Sequence, residues 1–132
     1  MARTSFPALL FIFIAVALLN LSAQIPTDRE ELRRAADQGS AIAQFDLGVM
    51  YDSGAGVAQD YAEALRWYRK AAEQGYADAQ FNLGVMYAKG AGVDRDDTQA
   101  VLWYRKAAEA NDASAMTRLG ILYEEGKSVT RN

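Results

Sequence analysis

The feature that most constrains this chain is an internal repeat with a period of 36 residues. The string Ala-Ala-Asp-Gln-Gly that begins at Ala35 returns as Ala-Ala-Glu-Gln-Gly at Ala71 and as Ala-Ala-Glu-Ala-Asn at Ala107. Residues 35–70 and 71–106 are identical at 23 of 36 aligned positions, without a gap. This repeat predicts one small unit stacked several times, an architecture that serves binding more often than catalysis.

The first 23 residues have the layout of a secretory signal peptide. Arg3 gives a short positive start, the twelve residues Ala8 to Leu19 are apolar, and the small pair Ser22-Ala23 follows them. The apolar run is short for a membrane span, which needs about 20 residues. We therefore expect cleavage after Ala23 and a periplasmic or secreted location. An uncleaved N-terminal anchor is the alternative.

Composition restricts the chemistry of the segment from residue 24 onwards. Without Arg3 it carries 13 basic and 17 acidic side chains, and such an acidic balance argues against nucleic acid, which needs clustered Lys and Arg. The chain contains no His and no Cys, so disulfides and the usual general base, metal ligand and thiol nucleophile are absent. We expect no cofactor, no metal site, no catalytic residues and no stable membrane insertion after signal cleavage.

Two helices are predicted in each unit. The first covers about 40–53, 76–89 and 112–125, and the second begins near Asp60 and again near Asp96. Both aspartates suit an N-cap, and Glu63 and Gln99 follow three residues later in a capping-box pattern.

A lone second-type helix is predicted ahead of the first unit. Thr27 would cap it, with Glu30 at the capping-box position and Pro26 as its outer boundary. This half unit covers 27–38, and units at about 40–75 and 76–111 and a truncated unit at 112–132 follow it. The third unit would lack its second helix, because Asn132 aligns with the N-cap residue of the earlier units.

Glycines and aromatic pairs also recur at fixed places. Gly48 returns as Gly84 and Gly120 inside the first helix, although glycine weakens a helix by about 1 kcal/mol relative to Ala. The recurrence predicts close approach of a neighbouring helix. The pairs Trp67-Tyr68 and Trp103-Tyr104 could form a platform for a sugar or peptide, but packing between successive units is the favoured interpretation.

Charged pairs recur as well. Arg69-Lys70 and Arg105-Lys106 lie near the ends of second helices, where cations offset the helix dipole. The acidic pairs Asp96-Asp97 and Glu124-Glu125 are neighbours in sequence and face different directions on a helix. We interpret them as solvated charges.

The repeated string resembles the Sel-1-like repeat, a relative of the tetratricopeptide repeats. It reads Ala-x-Ala-Gln-Phe-x-Leu-Gly-x-x-Tyr, then Gly-x-Gly-Val-x-x-Asp, then Ala-Leu-x-Trp-Tyr-Arg-Lys-Ala-Ala-Glu-Gln-Gly, and the similarity extends from Ala35 to Val129. The resemblance implies an all-α fold, a right-handed α-solenoid of antiparallel helix pairs, used as an adaptor or scaffold for other proteins. The disulfide-rich secreted branch of the family is excluded, because the chain has no Cys.

One stripe of the first helix changes between units while its neighbours stay fixed. It reads Ile42, Asp46, Val49, Ser53, then Asp78, Asn82, Val85, Lys89, then Ser114, Arg118, Ile121, Glu125. By analogy with tetratricopeptide arrays, first helices line the concave surface. We therefore expect an extended peptide or a partner helix to bind a first-helix row. That row consists of Asp46, Val49, Asn82, Val85, Arg118 and Ile121. A solvent face without a partner is the alternative, since exposed polar residues are ordinary.

The end of the third unit is a second candidate surface. Leu119, Leu122 and Tyr123 are expected to be exposed there, at a loss of about 1.5–3 kcal/mol of burial for each such side chain. Either a partner or another copy of the chain covers this end, giving a homo-oligomer, or the third unit frays.

These observations favour an exported, non-enzymatic adaptor or scaffold that binds a protein or peptide. One alternative is a secreted hydrolase acting on cell-wall or antibiotic substrates, which would need a clustered, buried carboxylate pair. The other is a structural piece completed by a partner at its open C-terminal end.

Overall fold

In a computed structural model the chain folds as stacked α-helices, and within the described ranges there is no strand. The structure describes residues 6–110 and 112–126, and the side chains of these except 6–7 and 18–27. The helices are α1 (Phe6–Asp37), α2 (Ala41–Ser53), α3 (Tyr61–Glu73), α4 (Ala77–Lys89), α5 (Asp97–Glu109) and α6 (Ala113–Glu124). Each helix packs mainly on the helices that precede and follow it. The predicted all-α repeat solenoid is confirmed.

Helix caps explain where the second helices begin. Asp60 accepts from the backbone N–H groups of Ala62 and Glu63, and Asp96 accepts from that of Gln99. The two predicted N-caps are therefore confirmed.

The reciprocal half of the capping box does not form. The backbone N–H of Asp60 already donates to the carbonyl oxygen of Tyr51 at 2.9 Å, and that of Asp96 donates to Tyr87 at the same distance. With the cap N–H occupied, the Glu63 carboxylate pairs with Arg66 at 2.8 Å instead. The backbone N–H that a capping-box side chain would bind is therefore already bonded to a carbonyl oxygen of the preceding first helix.

The predicted boundary at Pro26 and Thr27 is wrong. Helix α1 runs without a break from Phe6 to Asp37, so Thr27 lies inside it. Because the φ that proline fixes is close to the helical value, a helix can continue across it, at a cost of about 3 kcal/mol for the lost hydrogen bond and the clash of the ring with the carbonyl four residues earlier. The side chains of residues 8–17 are all exposed, with Phe11 and Phe13 at 72%. No helix in the described residues has a stretch both long and apolar enough to cross a membrane.

Small residues, and one aromatic pair in each of the first two units, form the core. The largest fully buried side chains are Trp67, Tyr68 and Leu83, and alanines surround them. Two glutamines are buried as well: the Gln44 side chain donates to the Ala36 carbonyl at 3.0 Å, and Gln80 repeats this bond one unit later. Both bonds join a first helix to the end of the preceding second helix, so they fix successive units in register.

The recurring glycine permits close approach of the two helices in a unit. A β-carbon at Gly48 would lie 2.5 Å from Cδ1 of Tyr68, and one at Gly84 would lie 2.7 Å from Cε1 of Tyr104. The predicted close approach is confirmed in these two units. At Gly120 a β-carbon would meet nothing within 4 Å, because no described residue supplies a second helix to α6. The predicted truncation of the third unit falls on residues 127–132, outside the described residues.

Candidate functional site

The aromatic pairs belong to the packing of the solenoid. Trp67 is 0% exposed and Trp103 is buried. Lys70, Arg66 and Arg33 place their cationic groups 4.6, 4.7 and 5.0 Å from the centre of the Trp67 ring. The apolar stems of these side chains cover the ring and the cations interact with its face. The interpretation as interior packing is confirmed, and Trp67 offers no platform to a ligand.

The first-helix row lies on α2, α4 and α6. Its apolar members Val49 and Ile121 are 38% and 41% exposed, and Val85 between them is half-buried. Two of the polar members, Asp46 and Arg118, are exposed. An apolar ridge with polar neighbours is therefore accessible along successive first helices.

Buried tyrosines of the second helices reach this row. The Tyr68 hydroxyl donates to the Asp52 carboxylate at 3.2 Å, and Asn82 of α4 lies close to the same hydroxyl. Burial, followed by the nearby charge of Asp52, raises the pKa of Tyr68 far above its usual range, and the nearby Asn82 amide lowers that pKa. Asn82 is half-buried, so this member of the row is less accessible than Asp46 and Arg118.

Arg118, the third polar member of the row, lies at the position equivalent to Asn82, near Tyr104. Burial raises the pKa of Tyr104, and the positive charge of Arg118 lowers it. Leu32 occupies the position in α1 that Tyr68 and Tyr104 hold in α3 and α5, so Asp46 has no such hydroxyl beside it. From one unit to the next, the polar member of the row therefore changes its charge, and only in the second and third units does a buried tyrosine lie beside it.

Sequence reasoning missed a second set of bonds between units. The Arg69 guanidinium donates to the Tyr87 hydroxyl, and Arg105 donates to Tyr123 through Nη2 at 2.7 Å and Nε at 3.0 Å. These arginines therefore join a second helix to the next first helix, beyond any effect on the helix dipole. The signal was present, since both the arginine and the tyrosine return after 36 residues, but spacing alone does not pair them.

The predicted exposed end requires a correction. Leu119, Leu122 and Tyr123 are half-buried, because α5 covers the side of α6 on which they lie. Tyr123 is also bonded by Arg105. The more accessible apolar residue of α6 is Met116, at 48% exposed.

The described residues contain neither a cluster of metal ligands nor a pair of buried carboxylates. Within 6–110 and 112–126, no three or more Asp, Glu, His or Cys side chains lie close enough to hold a metal ion. Among the side chains that the structure describes, no Asp or Glu is buried. The buried carboxylate pair that a hydrolase of this kind would require is therefore not formed there.

The stacked helix pairs, joined by repeated bonds from unit to unit, define an α-helical repeat solenoid. The chain belongs to the Sel1 repeat family, whose model matches residues 41–76, 77–112 and 113–132. Proteins of this family generally act as protein-interaction scaffolds.

Solved structures of the same family have similar folds. A protective antigen present in uropathogenic Escherichia coli strains, c5321, displays an SLR fold and is 44% identical, with a TM-score of 0.72 over 74% of this chain and 21% of that one. A Sel1 repeat protein from Oxalobacter formigenes is 41% identical, with a TM-score of 0.70 over 80% of this chain and 49% of that one. The Helicobacter pylori cysteine rich protein B (hcpB) is 28% identical, with a TM-score of 0.66 over 69% and 68%.

This chain therefore spans about a fifth of the first of these proteins and about half of the second. No curated protein matches it.

Proposed function

We propose that this chain is an exported scaffold without catalytic activity that binds a protein or peptide through the first-helix row. The observation that carries the proposal is the exposure of apolar side chains at one repeated position, Val49 at 38% and Ile121 at 41%. Leu47 and Leu83, at another repeated position of the same helices, are buried. An exposed apolar ridge with polar neighbours suits an extended peptide or an amphipathic helix.

The charges of the row give the proposed partner a direction. Asp46 is negative, Asn82 is neutral and Arg118 is positive. A complementary segment carries a basic group over α2 and an acidic group over α6, with an apolar stripe between them. Such complementarity selects the partner and its orientation more than it adds affinity.

The row is tested by site-specific crosslinking in the compartment where the chain resides. A photo-reactive residue at Val85 is expected to give a discrete adduct, because Val85 lies at the centre of the ridge. The same residue at exposed Glu73, on a second helix, is the control. Equal adducts at the two positions, or none at Val85, would show that the row is not the site.

A matched pair of triple variants separates binding from folding. Asp46, Asn82 and Arg118 are replaced by Ala in one. The control variant replaces an acid and a base on second-type helices, Glu73 and Arg34, and an amide in the turn after α1, Gln38. The first is expected to lose the adduct and the second to keep it, with circular dichroism confirming that both remain helical. Retention of full affinity by the first variant contradicts the proposal.

Export is the other half of the proposal. It rests on the signal-peptide layout of residues 1–23, and the described members of the core clusters begin only at Leu32. Removal of those residues would therefore leave the described core complete. Mass spectrometry of the chain expressed with its own N-terminus is expected to show Gln24 as the first residue. A full-length chain that stays with the membrane fraction would favour an anchor instead.

A structural role through the end of α6 is a second candidate, favoured by the open space at Gly120. Since Tyr68 and Tyr104 fill this space in the earlier units, the fitting occupant is a helix with a tyrosine at that place. Sedimentation equilibrium at several concentrations is expected to show self-association that Gly120→Leu abolishes. A monomer at all concentrations excludes self-assembly through this end.

A further inference from the structure

A pocket of about 340 Å³ opens between α1, the end of α2 and the loop that follows α2. It is lined by Arg29, Glu30, Arg33, Leu47, Tyr51 and Val57. The volume lies at the lower end of the range for small-molecule sites, about 300–1,000 Å³. Leu47 and Tyr51 do not belong to the first-helix row, so this pocket is a separate site.

One departure from the repeat accounts for this pocket. The position of Arg29 is held by Leu65 in α3 and by Val101 in α5. Leu65 packs against the core, and Val101 is buried. Arg29 is exposed instead, and its Nη1 donates to the carbonyl of Gly56 at 3.0 Å. A guanidinium thus stands at the edge of a space that an apolar side chain fills in the later units.

A second departure leaves a hydroxyl available in the same pocket. The tyrosines equivalent to Tyr51 each accept from an arginine of the preceding second helix. The equivalent arginine here is Arg33, whose Nε instead donates to Asp37 at 3.3 Å, while its guanidinium lies over Trp67. Among the described contacts no hydrogen bond joins Arg33 to the Tyr51 hydroxyl.

The chemistry of the lining specifies the ligand. The Leu47 and Val57 side chains and the Tyr51 ring give an apolar wall, and two guanidinium groups and a phenol hydroxyl can donate to an anion. Guanidinium groups match the planar geometry of a carboxylate. Glu30 also lines the pocket, and its negative charge disfavours a doubly charged anion such as a phosphate monoester.

We propose that this pocket binds a single carboxylate attached to an apolar side chain, as at the C-terminus of a peptide. The carboxylate lies between Arg29 and Arg33 within reach of the Tyr51 hydroxyl, and the apolar side chain enters between Leu47 and Val57. Because the site shares no residue with the first-helix row, failure of one proposal leaves the other standing.

The test uses acetyl-glycyl-leucine with a free carboxylate as the probe and its C-terminal amide as the comparison. Binding to the ¹⁵N-labelled full chain is followed through the Nε–H signals of Arg29 and Arg33 and the backbone signals around Tyr51. The carboxylate is expected to shift these signals, and the amide is expected to bind about tenfold more weakly or worse, since it lacks charge-assisted hydrogen bonds. Equal binding of the two probes, or no shift at millimolar carboxylate, overturns the proposal.

A matched pair of variants locates the probe. Arg29→Leu introduces the residue that α3 carries at the same position, so it fills the space and removes the guanidinium without disturbing the helix. Arg95→Leu makes the same charge change at an exposed arginine paired with Asp97, outside the pocket. The first variant is expected to lose about tenfold in affinity for the carboxylate, while the second keeps the affinity of the parent chain. If both variants bind equally well, the pocket is not the site.

Discussion

The first two units and the third unit have similar first helices in different surroundings. Gly48 and Gly84 each lie against a tyrosine ring, whereas Gly120 faces open space among the described residues. Gln44 and Gln80 each bond a carbonyl of the preceding helix, whereas the equivalent residue of the third unit is the exposed Met116. The same local sequence therefore carries different stability, depending on which neighbours complete it.

The comparison also shows where the cost of glycine is recovered. Glycine inside a helix costs about 1 kcal/mol relative to Ala. At Gly48 and Gly84 the loss is offset by burial of Tyr68 and Tyr104 directly against the helix backbone. At Gly120 no described side chain packs against the glycine, so its unfavourable helix propensity in α6 is not offset.

The largest expected difference concerns the buried aromatic residues that the described third unit lacks. Trp67→Ala removes a fully buried side chain and is expected to lower the free energy of unfolding by about 3–5 kcal/mol. Leu122→Ala, at a half-buried position of α6, is expected to cost about 1–2 kcal/mol. Urea unfolding followed by circular dichroism measures both. Equal losses would mean that the third unit is as well packed as the first.

The glycines give an effect whose sign changes between units. Gly48→Ala and Gly84→Ala place a β-carbon within 2.5–2.7 Å of a tyrosine ring and are expected to destabilise by about 1–3 kcal/mol, as overpacking does. Gly120→Ala meets no neighbour and is expected to stabilise by up to about 1 kcal/mol through helix propensity. Thermal unfolding of the three variants checks this. A loss at Gly120 as large as that at Gly84 would show that its space is filled.

A smaller effect is expected from restoring the glutamine of the earlier units. In Met116→Gln the new amide can donate to the Ala108 carbonyl, as Gln80 donates to Ala72. One such bond is worth about 0.5–1.5 kcal/mol. Hydrogen exchange of α6 amides is expected to slow, whereas the reverse change, Gln80→Met, is expected to speed exchange in α4. Unchanged exchange in Met116→Gln would indicate that α6 is too loosely held for the bond to form.

Tyrosine ionisation has the smallest expected effect on the free energy of unfolding at neutral pH. It distinguishes Tyr68 of the first unit from Tyr104 of the second. Burial raises the pKa of Tyr68 above the unfolded value of about 10. The stability from keeping it neutral is therefore complete below about pH 10 and is lost as pH rises from there through the folded pKa. The pKa of Tyr104 is also raised, but Arg118 opposes that rise. Tyr68→Phe is expected to flatten the alkaline decline in the free energy of unfolding.

Asp52→Asn provides the control for this titration. It removes the charge that, after burial, raises the pKa of Tyr68. The phenol absorbance of Tyr68 is expected to titrate at lower pH in this variant. An alkaline decline that persists unchanged in Tyr68→Phe would assign the loss to other groups.

Local structure was largely predictable from the sequence. The first helices were expected at 40–53 and 76–89 and are found at Ala41–Ser53 and Ala77–Lys89. The caps at Asp60 and Asp96 also form as predicted. These features depend on residues within a few positions of one another, and the same local pattern occurs in more than one unit.

The candidate sites were less predictable. The composition of the first-helix row follows from comparing units, but the position of Asn82 beside the Tyr68 hydroxyl depends on how two units pack. The pocket beside Arg29 was missed, although Arg29 departs from the repeat, because its emptiness depends on the direction that the Arg29 side chain takes. Half-burial of Leu119 and Leu122 likewise depends on the position of α5.

The sequence by itself determined the period, the helices of the repeat units and the caps at Asp60 and Asp96, because these follow from spacing, propensity and short-range hydrogen bonds. Only the tertiary structure decided which glycines are covered and which arginine bonds which tyrosine. Those outcomes depend on contacts between residues that lie far apart in the chain. The repeat makes such contacts periodic, and the places where one unit departs from the next are where the structure offers a surface to bind.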